Sequence, residues 1–190
     1  MNTRTIGAML VISSLVATVL WLAGGSDYAR PRPFAGDHLG PQSGQTHAEY
    51  RELADDSLAI ALRRAPSENA FSMLSFTTPL SAMQTGELVA DLQRVGSIIT
   101  KEGKILATPE PVAGAKRADA IRTTLAAVDS AEIIAVIAFD TPTHLAPLTD
   151  QPAVHTIEVL PPDAVWSQFG ISPPSLPAPE AFEFDSTACL

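Results

Sequence analysis

The sequence predicts a mixed α/β (α+β) domain carried behind an amino-terminal transmembrane helix, and three observations point there. An uncharged apolar run, Ile6 to Ala23, opens the chain and a Gly-, Pro- and Ser-rich stretch follows it. Helix-period and strand-like apolar patterns then alternate from Thr46 to Leu160, and a proline-rich, acidic segment comes last. Alternation of this kind builds a small sheet of four or five strands with helices mainly on one face.

Ile6 to Ala23 is 18 residues long, which at about 1.5 Å per residue covers roughly 27 Å, close to the hydrocarbon thickness of a bilayer. Trp21 suits the interfacial zone. Only Arg4 and the amino terminus charge the leading segment, and the apolar core exceeds that of a cleaved signal. Residues 1–25 are therefore expected to be an uncleaved anchor. Cleavage after Ala23-Gly24-Gly25, giving a secreted protein that begins at Ser26, is the alternative. Arg30 and Arg32 oppose the positive-inside rule, but exporting the large carboxyl-terminal part is the commoner arrangement behind a signal-like first helix. The domain is thus expected outside the cytoplasm.

Residues 26–45 read as a linker, being rich in breakers and without apolar periodicity. Thr46 to Ala65 carries Tyr50, Leu53, Ala54, Leu58, Ala61 and Leu62 at helical spacing, and Pro66 stops it. Ala70 to Thr77 has the length and apolar content of a strand buried on both faces. Ser81 with Gln84 forms a capping box for a helix expected to run to about Val95, with Gly96 as its stop. Ser97 to Thr100 and Lys104 to Ala107 flank Lys101-Glu102-Gly103 as a hairpin or bent strand. A helix is expected from about Ala115 through Val128, on the stripe Ala118, Ile121 and Leu125.

Glu132 to Phe139 is the most strongly strand-like run, and Thr141-Pro142 then supplies an N-cap with proline in the first turn of a short helix that ends near Asp150. Val154 to Leu160 is the last strand. Strand, short helix and strand predict a right-handed crossover to a parallel neighbour if both strands lie in one sheet. The whole of residues 46–160 is expected to be one extracytoplasmic domain of ferredoxin-like, split βαβ type.

Residues 161–190 read as an extended tail spaced by Pro173, Pro174, Pro177 and Pro179. Trp166, Phe169 and Ile171 are expected to fold back onto a sheet edge or helix, with partner binding as the alternative for Trp166 and Phe169. Phe182 and Phe184, beside acidic residues, suit a linear binding motif.

Without its first 25 residues the chain keeps 11 of its 12 basic residues against 21 acidic ones, a net charge of −10. No basic patch suited to phosphates emerges, so no nucleic-acid partner is expected. Cys189 is the sole cysteine, which rules out an intramolecular disulfide and a multi-cysteine metal site. His38, His47, His144 and His155 include no pair four apart, so no metal and no cofactor are expected. Glu49, Glu52, Asp55 and Asp56 read as the solvated acidic face of a helix near its positive end. His155, alternating with Ile157 and Val159, reads as a core or edge histidine.

The signatures of common hydrolases and nucleotide-binding enzymes are absent from the sequence. The one weak site candidate is Asp140 with His144, four residues apart across a helix start, where the aspartate could orient the imidazole. The plan of anchor, linker, small α/β domain and proline-rich tail resembles envelope proteins of GC-rich Gram-positive bacteria. That resemblance covers architecture and transfers no site residue. The expectation is a non-enzymatic, membrane-anchored module that binds another envelope or membrane protein, with a small envelope hydrolase or ligand-binding protein as the alternative.

Overall fold

A computed structural model describes residues 36–176 other than 129 and 131. The apolar segment Ile6 to Ala23, the cleavage site, Phe182, Phe184 and Cys189 lie outside the described residues. Among those described, no helix is long and apolar enough to cross a membrane.

The first element is β1, His38–Leu39, inside the segment read as linker. Thr46 then caps α1, His47–Arg64: its hydroxyl accepts from the Glu49 N–H, and the Glu49 carboxylate accepts from the Thr46 N–H. Two donors that a helix start leaves open are thereby satisfied. Strand β2, Ala70–Leu80, extends three residues past the expected end at Thr77. Ser81 and Gln84 repeat the capping box for α2, Ala82–Leu88.

That helix stops well before Val95, because Arg94–Thr100 is strand β3. Leu92 and Val95 do reach the helix-side core, one from a turn and the other from the strand. Gly96 is no helix stop; it falls at a register shift of β3 against its neighbour. The expected hairpin follows, with β4, Ile105–Ala107, paired to β3. Next come α3 at Arg117–Ala126, β5 at Ile133–Asp140, α4 at Pro142–Leu145 with a 3₁₀ turn to Asp150, β6 at Val154–Val159 and β7 at Gly170–Ile171.

Five strands form one antiparallel sheet in the order β4-β3-β5-β2-β6. Since β5 lies antiparallel between β2 and β3, those two run parallel without touching. The same holds for β5 and β6, which β2 separates. The expected parallel neighbour is thus replaced by a split arrangement, because β2 pairs on both sides and takes the position between the two strands that α4 connects.

The helices pack on one face, where Leu58, Val89, Ile121 and Leu145 meet Leu74, Ile98, Val136 and Ile157. Here α2 and α3 approach so closely that a Cβ at Gly86 would lie 2.5 Å from the Ala118 Cα. The opposite face carries Met73, Ile99, Ile134 and Ile137, and its cover is mainly irregular chain, Leu39 from one side and Leu160, Ala164 and Phe169 from the other, with Tyr50 of α1 beside them. β1 and β7 join these two straps as a parallel pair. Residues 38–39 and 170–171, read from sequence as linker and extended tail, are therefore paired parts of the domain.

Candidate functional site

Asp140 closes β5, and the Thr141 cap with Pro142 turns the chain so that His144 sits one turn above it. The His144 Nδ1 lies 2.8 Å from the Asp140 Oδ2. The same carboxylate accepts from the Gln93 N–H at 2.7 Å and, through Oδ1, from the Thr141 N–H at 2.7 Å. The Asp140 side chain is 4% exposed and that of His144 46%. The sequence candidates thus do meet. Their hydroxyl neighbours are otherwise engaged, since Thr141 Oγ1 accepts from the His144 N–H and Thr143 Oγ1 donates to the Pro66 carbonyl. Chemically the pair offers an oriented imidazole, while Asp140 clamps the loop before β3 to the start of α4.

A second polar group was not singled out from the sequence. Glu158 on β6 is 5% exposed and faces the strap side of the sheet. Its Oε2 accepts from the Gly40 N–H at 2.7 Å and from the Tyr50 hydroxyl at 3.0 Å. The Ser75 and Thr156 hydroxyls pair beside it. Burial pushes the Glu158 carboxyl up to about 7, against the lowering effect of its two donors. Burial, and then the nearby carboxylate, push the Tyr50 phenol above its ordinary value. Gly40 has φ +99°, and a Cβ there would run into the Ser172 carbonyl oxygen, so only glycine fits between Glu158 and the second strap. The available signal was one acidic residue between two apolar ones, Ile157 and Val159, in a predicted strand. His155, on the same strand, sits at the register shift against β2, with Nε2 buried and unpartnered among the described residues. Burial, followed by the Arg51 and His47 charges, lowers its pKa.

The third feature is aromatic. Phe71 stands at the centre of a cluster, with ring centroids 4.7 Å from Phe139, 5.5 Å from Trp166 and 5.2 Å from Phe169. Phe169 is spent on the core at 5% exposure, whereas Trp166 remains 41% exposed. The Trp166 ring passes over Gly96, where a Cβ would come within 3.6 Å of it. Between this ring, Phe71, Phe139, Arg94 and Pro109 lies a groove of about 440 Å³. Arg94 is the only ionisable residue in its lining and forms no ion pair with the described residues. Of the four aromatic candidates, Trp166 reaches the surface, Phe169 anchors it, and Phe182 and Phe184 fall outside the described residues.

No three His, Cys, Asp or Glu side chains gather into a metal-binding group among the described residues. Comparison with protein-family models, with curated proteins and with solved structures finds no match to the chain.

Two outcomes check this account of the polar groups. Asp140→Ala strands two backbone N–H groups and is expected to cost about 2–4 kcal/mol in denaturant unfolding, against less than about 1 kcal/mol for His144→Ala. Equal costs would contradict the clamp. For Glu158, a folded pKa above the ordinary value means that the native state keeps a proton the unfolded chain has already lost. The resulting stability is full below about pH 4.5 and lost as pH rises through about 7. Relative to Glu158→Gln, whose amide oxygen still accepts both bonds, the wild type should lose about 3 kcal/mol over that window. Parallel pH profiles of Tm would refute the assignment.

Proposed function

We propose that the chain is a membrane-anchored, extracytoplasmic module of a bacterial envelope, built on a ferredoxin-like scaffold and non-enzymatic, that binds another envelope or membrane protein at the Trp166 groove. The observation that carries this reading is a large aromatic ring held half-exposed on an aromatic floor. Trp and Arg are the residue types that dominate binding hot spots. Trp166 is already positioned by Phe71 and Phe169, so a partner immobilises little that is not immobile beforehand. Apolar walls with one cationic group suit an extended apolar segment that carries a carboxylate.

The alternative of a small envelope hydrolase or ligand-binding protein has one observation in its favour, the oriented imidazole of His144. It predicts that His144→Ala abolishes an activity, whereas the binding module predicts an unchanged partner profile. A freely secreted form is distinguished by its mature amino terminus at Ser26.

The direct test places a photo-crosslinking residue at Thr108 in the groove wall, and a control at Ile60 on α1, in the full-length chain in its native membrane. The expected result is a partner adduct at Thr108 alone that falls at least about tenfold in Trp166→Ala, the loss for a hot spot of about 1.4 kcal/mol or more. Trp166→Phe should retain part of it. Equal adducts at both positions, or adducts indifferent to Trp166, would refute the groove as the binding site.

A further inference from the structure

Accepting the Trp166 groove as the partner site, we propose that the partner engages it with an extended segment that adds as a further strand to the free edge of β4 and sends its side chains past Ala107 and Pro109 into the groove. Three observations agree.

The first is an open edge. β4 ends the sheet order and pairs only with β3, Leu106 standing opposite Ile98. Opposite residues in an antiparallel ladder alternate between pairs that exchange hydrogen bonds and pairs that do not. The Thr100 N–H donates to the Lys104 carbonyl at 2.9 Å and the Thr108 N–H to the Gly96 carbonyl at 3.0 Å, so Lys104, Leu106 and Thr108 turn their backbone groups toward β3. Ile105 and Ala107 turn theirs outward, where these groups have no partner among the described residues. Both residues are exposed, Ile105 at 40%. Such an edge is a template for strand addition, in which main-chain bonds give affinity and alternate side chains give specificity.

The second is continuity with the groove. Ala107, Thr108 and Pro109, the end of β4 and its continuation, form one wall of it. Ile105 stands opposite Ile99, which packs on the strap face, so Ile105 and Ala107 belong to that face, while Leu106 between them packs with the helix-side core. An antiparallel added strand passes Pro109 first, then Ala107, then Ile105, and every second side chain lies on the strap face. The residue beside Ala107 meets only a methyl group between itself and the Trp166 and Phe71 rings, a setting that selects an apolar side chain.

The third is charge. Arg94 opens β3, lines the groove and forms no ion pair with the described residues. From an added strand to β3 is two strand spacings, about 10 Å, a gap that an arginine and an acidic side chain close between them. The residue beside Pro109 is therefore acidic, and the partner segment reads acidic, any, apolar, any, apolar. A second copy of this chain does not supply that pattern, since pairing its Ala107 with Ile105 brings Gly103, without a side chain, to Pro109.

The test uses the full-length chain in its native membrane, with a photo-crosslinking residue at Ile105 or at Thr108. Both positions are expected to give an adduct of the same mass. Ala107→Pro removes an outward N–H that the sheet does not use, at an edge position that tolerates proline, and is expected to lower both adducts at least about tenfold. Ala107→Ser keeps that N–H and should leave them within about twofold. Amide exchange gives a reading without proline: in the complex trapped through Thr108, the Ile105 and Ala107 amides should exchange at least about tenfold more slowly than in the free chain. Equal exchange in the two states, or a Thr108 adduct that depends on Trp166 but is indifferent to Ala107→Pro, overturns strand addition and leaves the groove as the partner site. An Ile105 adduct of twice the chain's own mass overturns it in favour of a second copy. Protection of both amides with adducts indifferent to Trp166 supports strand addition and sinks the groove reading. No adduct at either position overturns both.

Discussion

A five-stranded sheet has two faces to bury, and the helices of this domain supply the main cover for only one. The other depends mainly on two stretches of irregular chain, the strap through Leu39 and the strap from Leu160 to Ile171, which close over Met73, Ile99, Ile134 and Ile137 together with Tyr50 of α1. Leaving those four side chains to water would forfeit on the order of 10 kcal/mol, the size of a whole domain's stability. The straps are thus part of the fold in the same sense as the helices, although each contributes only two residues of regular strand.

Irregular cover needs attachment, because its backbone groups lack the ladder that a strand or helix provides. β1 and β7 supply part of it by pairing with one another, with the Gly170 N–H donating to Asp37 and the Ser172 N–H to Leu39. Glu158 supplies a further part, by joining the Gly40 backbone and the Tyr50 hydroxyl at one carboxylate oxygen. A buried carboxyl without a cation is costly to ionise, which is why its pKa rises toward neutrality. A hydrophobic residue in its place would fill the space and leave the Gly40 N–H unanswered. The proposed groove follows from the same closure, since Trp166 belongs to the second strap and its floor to β2 and β5. Site and core therefore depend on one event.

Local signals were legible in the sequence and distant pairings were not. The caps at Ser81 and Thr141 act within three residues, and each stands where its pattern predicts. The end of α2 was misplaced because Leu92 and Val95 keep helical spacing while a turn and a strand deliver them to the same core. β1 and β7 escaped notice because two-residue strands in Gly- and Pro-rich chain have no periodicity to detect. Of the site, the Asp140 and His144 spacing was legible, but the clamping of Gln93 depends on a contact 47 positions away. Glu158 was passed over because its partners, Gly40 and Tyr50, are more than a hundred residues earlier.

Native-state hydrogen exchange at single amides is the most direct test of strap closure. The Gly40, Gly170 and Ser172 N–H groups are bonded to Glu158, Asp37 and Leu39, at 2.7, 2.9 and 2.8 Å. If the straps close the core, these three amides exchange only through global unfolding, with the same free energy as amides at the centre of β5. Exchange of all three at the rate of an open loop, while β5 remains protected, would show that the strap face opens on its own and would contradict the account.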